Sequence, residues 1–391
     1  MRLNKNILTT TTIPRTPKQI RLANTVFFFL SGFGYATWAS RIPSIQHDLH
    51  LNEAQLGTLL FAMPVGLMLT LPITGRVLST YSSKAVMLFG ALFFSVVLVF
   101  IGISSSIWQL TIALFCLGSA RNLLNISANA QAVAVQTLYS KSIMATFHGV
   151  WSLAGFAGAA VGAVMVFYNI NPAYHLVTVS ILLLIFSLWF YSGTMYQEPI
   201  PQTNKKIFAL PEKGLLKFAF ICFASMACEN TMYDWSGIYF EKAVHLPKAT
   251  ATAGFVAYMV AMTSGRFLGD MLVNKYGLKL LLKFSGIFIF SGFVLAVLLP
   301  YTITAGLGFI LVGLGVSCII PMVYQLVGRS TTLSSGTAIA SISTIGYLGF
   351  LLVPPLVGYV AEGIGLRWAF GIIAAFGILV VVLVNGISDK E

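Results

Sequence analysis

Five ionisable side chains stand inside or at the ends of long apolar runs: Arg41, Arg121, His148, Glu229 and Asp234. A charge in such a run costs about 2.5–3.5 kcal/mol on insertion scales, so it usually faces water, a partner or a ligand. Arg121, Asn125 and Asn129 recur every four residues, which aligns them as one polar stripe on a helix. Asn230 and Asp234 share a face in the same way, as do Glu229 and Tyr233. Glu229 and Asp234 are five apart, about 140° around the axis, and are expected to point to different places. The chemistry on offer is ion pairing, hydrogen bonding and proton exchange. Histidine, with an ordinary pKa of about 6.5, makes His148 a further proton site. Plainer readings stand beside these. A glutamate–arginine pair can be a static contact that fixes packing, and Asp234 beside Trp235 can anchor a helix end. His148 can bond a backbone carbonyl, and Asn125, Asn129 and Gln131 can bond between helices. No nucleotide-binding loop, metal-ligand cluster or nucleophile–base set accompanies these residues, so neither an enzyme nor a cofactor is expected.

The elements that must hold them follow from composition. Of 391 residues, 57% are hydrophobic and 9% charged, against about 25% charged in a soluble domain. That excludes a soluble enzyme, a nucleic-acid-binding protein and a disordered chain. Apolar runs fall near 22–42, 55–79, 84–103, 107–131, 143–167 and 173–195, and again near 215–241, 249–273, 277–299, 303–327, 334–360 and 367–387. At about 20 residues per span, these are twelve transmembrane helices. The sequence therefore divides into a tail (1–21), a six-helix bundle (22–195), a polar linker (196–214) and a second six-helix bundle (215–388). Cys116, Cys222, Cys228 and Cys318 lie in apolar runs without metal spacing and read as small buried hydrophobes.

Charge sets the orientation. Eighteen of the 23 Lys and Arg residues fall, by alternation, on the side of the tail and linker, and four on the other. The positive-inside rule then puts both termini in the cytoplasm of a cell whose inner membrane the chain spans. The net charge of +12 is thus a topology signal that meets anionic lipid, not a nucleic-acid patch. Thr74-Gly75-Arg76-Val77-Leu78 closes the second run, and Ser264-Gly265-Arg266-Phe267-Leu268 closes the eighth. This match coincides with the six-span period and marks an internal repeat.

The six-plus-six plan resembles the major facilitator superfamily. Its loop signature, a Gly followed by Asp and then basic residues and Gly, is matched by Gly265 to Gly269-Asp270 and Lys275-Tyr276-Gly277. In the first copy Ser79 or Thr80 stands where the acid belongs. Further blocks resemble the bacterial YbjJ-like branch and, more distantly, fucose permeases. They are Trp38-Ala39-Ser40-Arg41-Ile42-Pro43, Asn129-Ala130-Gln131, Phe147-His148-Gly149-Val150-Trp151-Ser152, Glu229 with Asp234-Trp235-Ser236, Gly328-Arg329 and Gly346-Tyr347-Leu348-Gly349-Phe350. That branch usually carries an acid in helix 4 where this chain has Asn125, which weakens a proton role for that helix. The resemblance implies a secondary transporter in which helices 1, 4, 7 and 10 line a central cavity. Arg121 and Glu229 would approach each other across it, with Tyr35, Trp38, Arg41, Asn125, Asn129, Trp151, Asn230, Tyr324 and Tyr347 around a solute. Glu229, Asp234 or His148 would carry protons, and Arg76, Arg266 and Asp270 would form cytoplasmic gate contacts. Pro354-Pro355 should break or kink helix 11. The expected partners are a small polar solute, protons and lipid, in a monomer. Proton-coupled uptake is the leading expectation. Efflux or uncoupled exchange, and a non-transporting sensor or lipid-handling protein, are the alternatives.

Overall fold

The computed structural model describes residues 15–140, 143–197, 199, 211–327 and 335–387. The first helix, α1 (Pro17–Ala39), starts five residues before the expected boundary. Thr16 and Gln19 form a reciprocal capping box there, which gives the first-turn N–H groups polar partners outside the apolar run. The remaining first-half helices are α2 (Glu53–Thr80), α3 (Ser83–Ile103), α4 (Ile107–Gln136), α5 (Met144–Phe167) and α6 (Pro172–Tyr191). The second half comprises α7 (Leu216–Lys242), α8 (Ala253–Tyr276), α9 (Leu278–Leu298), α10 (Thr302–Val327), α11 (Ser335–Ile364) and α12 (Leu366–Asn385). Ten of these twelve segments, all but α1 and α8, are long and apolar enough by composition to cross a membrane. The chain is an all-α membrane protein of twelve transmembrane helices in two six-helix bundles. Most of the expected linker lies outside the described residues.

The packing repeats with the sequence. In the first half α1 lies on α5, α2 on α4, and α3 on both α4 and α6. In the second half α7 lies on α11, α8 on α10, and α9 on both α10 and α12. Each pairing thus recurs six helices later. Lipid gives helices no hydrophobic reason to associate, so contact depends on close backbone approach. Gly158 of α5 meets the Phe33 carbonyl of α1, where a Cβ would stand 2.5 Å from the oxygen. Gly349 of α11 meets the Phe223 carbonyl of α7 at the same 2.5 Å. The sequence expectation that glycines of helices 5 and 11 serve close contact agrees with this geometry.

Two features differ from the sequence reading. First, α11 runs unbroken through Pro354 and Pro355, where a break was among the expectations. Neighbouring helices in a membrane bundle can accommodate the freed backbone groups. Second, the helix of α10 is interrupted at Cys318 (φ −115°, ψ −5°), whose thiol donates to the Gly265 carbonyl of α8 at 3.2 Å.

The two halves meet most closely at the face opposite the chain termini. There α2 crosses α11 at Gly57 and Gly358. A Cβ on Gly358 would stand 2.5 Å from the Glu53 carbonyl oxygen and 2.8 Å from the Gly57 Cα. Around this crossing Lys242 pairs with Glu53. The Glu53 N–H donates to Glu362 Oε2 at 3.2 Å, and the Thr58 hydroxyl bonds Tyr359 Oη at 3.1 Å.

Candidate translocation site

Arg121 sits near the middle of α4, fourteen residues from its start at Ile107 and fifteen from its end at Gln136. Its guanidinium lies over the Tyr35 ring of α1, 3.8 Å from the centroid, and 5.9 Å from the Phe350 ring of α11. Arg121 is 7% exposed and its Nε has no hydrogen-bond partner. Among the described residues no carboxylate comes within 4.0 Å of it. Asp234 and Tyr347 are within its electrostatic reach.

Glu229 does not reach Arg121. It pairs with Arg266 of α8, Oε1 to Nη2 at 3.4 Å. This corrects the expected Arg121–Glu229 contact, and the cause lies in the glycines of α8. Gly265 and Gly269 form one face, and a Cβ on either would stand 2.4–2.5 Å from Ser317 Oγ or Cys318 Sγ of α10. With that face pressed on α10, Arg266 is turned about 100° around the helix, toward α7 and α5. Its Nη1 donates to Ser152 Oγ of α5 at 2.7 Å, and its guanidinium carbon lies 5.5 Å from the Trp151 ring centroid. Thr263 adds a bond from its hydroxyl to the Ser152 carbonyl at 3.1 Å. Arg266 therefore joins the second half to the first, and is no loop residue. It lies ten residues inside the end of α8 at Tyr276, about 15 Å along the axis. Arg76, its counterpart in the repeat, is exposed. The side chain of Asp270 lies outside the described residues.

The two carboxylates of α7 thus have different partners, an arginine for Glu229 and an amide for Asp234. Asp234 accepts from Asn230 Nδ2 at 3.0 Å, and both side chains are buried. Between the halves the rings of Tyr35 and Tyr233 stand 4.9 Å apart, with Phe255 and Tyr258 of α8 behind Tyr233 at 5.4 and 6.0 Å. Tyr35 Oη, Tyr233 Oη and Asn230 Oδ1 are buried without partners, as is Arg121 Nε. Four such orphans in neighbouring residues are unusual, because nearly all buried polar groups in proteins are bonded.

Other expected site residues take plainer roles. Asn125 accepts from the Ser31 hydroxyl of α1 at 2.9 Å, and Asn129 donates to the Asn125 carbonyl at 2.8 Å. The polar stripe is therefore spent partly on helix contacts. Tyr324 bonds Ser343 at 2.7 Å, joining α10 to α11. Trp38 is 1% exposed within the core. His148 is exposed, with its ring 5.6 Å from that of Phe28.

Arg41 is buried against α6, its Nε donating to His175 Nδ1 at 2.9 Å, with Arg41 Nη2 and His175 Nε2 unpartnered. Sequence spacing offers no link between positions 41 and 175, so this pair was not foreseen. We expect His175→Leu to cost about 1–3 kcal/mol, the penalty for stranding a buried donor. The thermal midpoint should fall with solute affinity unchanged. The opposite pattern would return Arg41 to the solute site.

The family model for the Major Facilitator Superfamily matches residues 25–352. The chain belongs to this superfamily. It is 30% identical over 347 residues to an uncharacterized MFS-type transporter of Yersinia pestis, covering 89% of this chain and 90% of that one. In fold it is similar to the nucleoside transporter NupG, with a TM-score of 0.78 and 14% identity over 94% of this chain and 99% of that one. It is also similar to the Escherichia coli fucose:proton symporter FucP, with a TM-score of 0.64 and 14% identity over 96% and 100% of the two chains. This superfamily member is a multi-pass membrane transporter of a small solute, as the sequence blocks implied. The four orphaned groups around Arg121 lie on α1, α4 and α7, three of the four helices expected to line the path.

Proposed function

We propose that this transporter takes up a small polar solute across the bacterial inner membrane, with both termini cytoplasmic, driven by protons that visit Glu229. The observation that carries the reading is the chain Glu229–Arg266–Ser152, which ties a titratable carboxylate at mid-depth to the contact between the two halves. With Glu229 ionised, Arg266 is held between α7 and α5. A proton on Glu229 removes the charge that holds it, and the halves are freer to rock about the site. Proton occupancy and the relative position of the halves are then one linked equilibrium. A proton symporter among the structural neighbours agrees with this reading. Asp234 is the second proton site, and Arg121, Tyr35, Asn230 and Tyr347 surround the solute.

Proteoliposomes test the coupling. A solute identified by thermal-shift screening is offered with and without an inward proton gradient. Glu229→Gln should abolish gradient-driven accumulation and leave solute counterflow in place. Undiminished accumulation in that variant would sink the role of Glu229 and place coupling on another group, whereas counterflow without gradient-driven accumulation in the native chain would favour uncoupled exchange.

A further inference from the structure

The two buried arginines of the central site are not equivalent. Arg266 has a carboxylate at 3.4 Å and a hydroxyl at 2.7 Å. Arg121, more deeply buried, has an aromatic face and an unpartnered Nε, and no described carboxylate within 4.0 Å. A guanidinium stacked on a ring uses its face and leaves its edge, where the N–H donors form a fork that fits a carboxylate with two parallel bonds. A buried cation without a counter-charge is costly unless something pairs with it. Asp234, the acid within its electrostatic reach, stands beyond ion-pair distance and is bonded to Asn230. The orphaned hydroxyls of Tyr35 and Tyr233 lie beside the same place. They offer hydrogen bonds to the remainder of a small polar molecule, since their ring faces are already packed on Arg121, on each other and on Phe255 and Tyr258.

From this geometry we infer that the transported solute is a small organic acid whose carboxylate docks on the free edge of Arg121, with its remainder beside the hydroxyls of Tyr35 and Tyr233. This rests on the transport reading above and adds the charge class of the solute. Glu229, neutralised by Arg266, is left for the coupling step and does not repel the acid from the Arg121 side.

The test is a thermal-shift screen of the purified full chain in detergent against metabolites sorted into acids, neutral compounds and bases. Nicotinate with nicotinamide, and galacturonate with galactose, serve as matched pairs. A ligand well above its Kd raises the midpoint by mass action. We expect the stabilising compounds to be acids whose neutral partners are silent. Arg121→Gln should weaken their binding about 10- to 100-fold, the worth of charge-assisted hydrogen bonds. Arg121→Lys keeps the charge but not the fork. It should keep the preference for acids at reduced affinity, and it stands in if the Gln variant does not fold. Stabilisation by neutral or basic compounds alone would overturn the assignment and leave the transport reading standing. So would an acid that binds the Arg121→Gln variant as tightly as the native chain. Silence from every class would overturn the assignment as well, while the coupling reading is judged separately by the proteoliposome experiment above.

Discussion

Gly358→Val will hold the face opposite the termini open. The two halves close there on backbone, with Gly358 against the Glu53 carbonyl and the Gly57 Cα. A valine has no room in that crossing, and neither neighbour is a side chain that can swing away. Overpacking of this kind costs about 1–3 kcal/mol. Within one bundle the cost would fall on stability. Here it falls on one conformation only, because the crossing exists only while the face is shut. The balance should shift about 5- to 150-fold toward the state open at that face. Spin labels at Gln55 and Gly363, both exposed, with Cys116 replaced by serine, report the change. The distance distribution should lengthen and turnover should fall, with the thermal midpoint nearly unchanged. An unaltered distribution with full turnover would show that the crossing is not a gate. Gly118→Val is the contrast. A Cβ there would stand 1.9 Å from the Met63 carbonyl within the first half, so that variant should lose stability instead.

Arg266→Gln should damage the protein in two separable ways. It leaves Glu229 without its cation in a buried setting. Breaking such a pair by removing one partner costs about 3–5 kcal/mol when both groups are fully buried. The Arg266 and Glu229 side chains keep 23% and 11% of their exposure, so about 2–3 kcal/mol is the better expectation after solvent screening. The second loss is the link to Ser152, and with it the coupling between Glu229 and the contact of the halves. Gradient-driven accumulation should fall to background. Adding Glu229→Gln should restore most of the thermal midpoint, because the stranded carboxylate is gone, but none of the accumulation. A double variant that regained accumulation would place coupling elsewhere, with Asp234 the next group to test. A single variant as stable and as coupled as the native chain would make the pair a bystander.

These two sites also show where sequence reading reached and where it stopped. Ten of the spans were legible because a membrane helix carries its own signature in length and hydropathy. Arg121 and Glu229 were legible as charges in apolar runs, and the helix period rightly separated Glu229 from Asp234. Partner choice was not legible, since it depends on which face of a helix is pressed on its neighbour. Gly265 and Gly269 decide that for Arg266 by lying against Ser317 and Cys318, residues some fifty positions away. The family motif suggests a gate at the end of α8, whereas Arg266 stands ten residues inside that end. Gly57 and Gly358, like Arg41 and His175, meet only through the tertiary fold, and no spacing in the chain announces either pair.

The seal at the Gly57–Gly358 crossing has one further property. Its core is backbone contact, indifferent to dissolved ions, but its rim is the ion pair of Glu53 with Lys242, whose lysine side chain is 41% exposed. At physiological ionic strength charges are screened over about 8 Å. The rim is therefore tuned by the salt on that side of the membrane, and the crossing beneath it is not. Fresh water and brine would set different resting positions for one and the same transporter, without any change in its cargo.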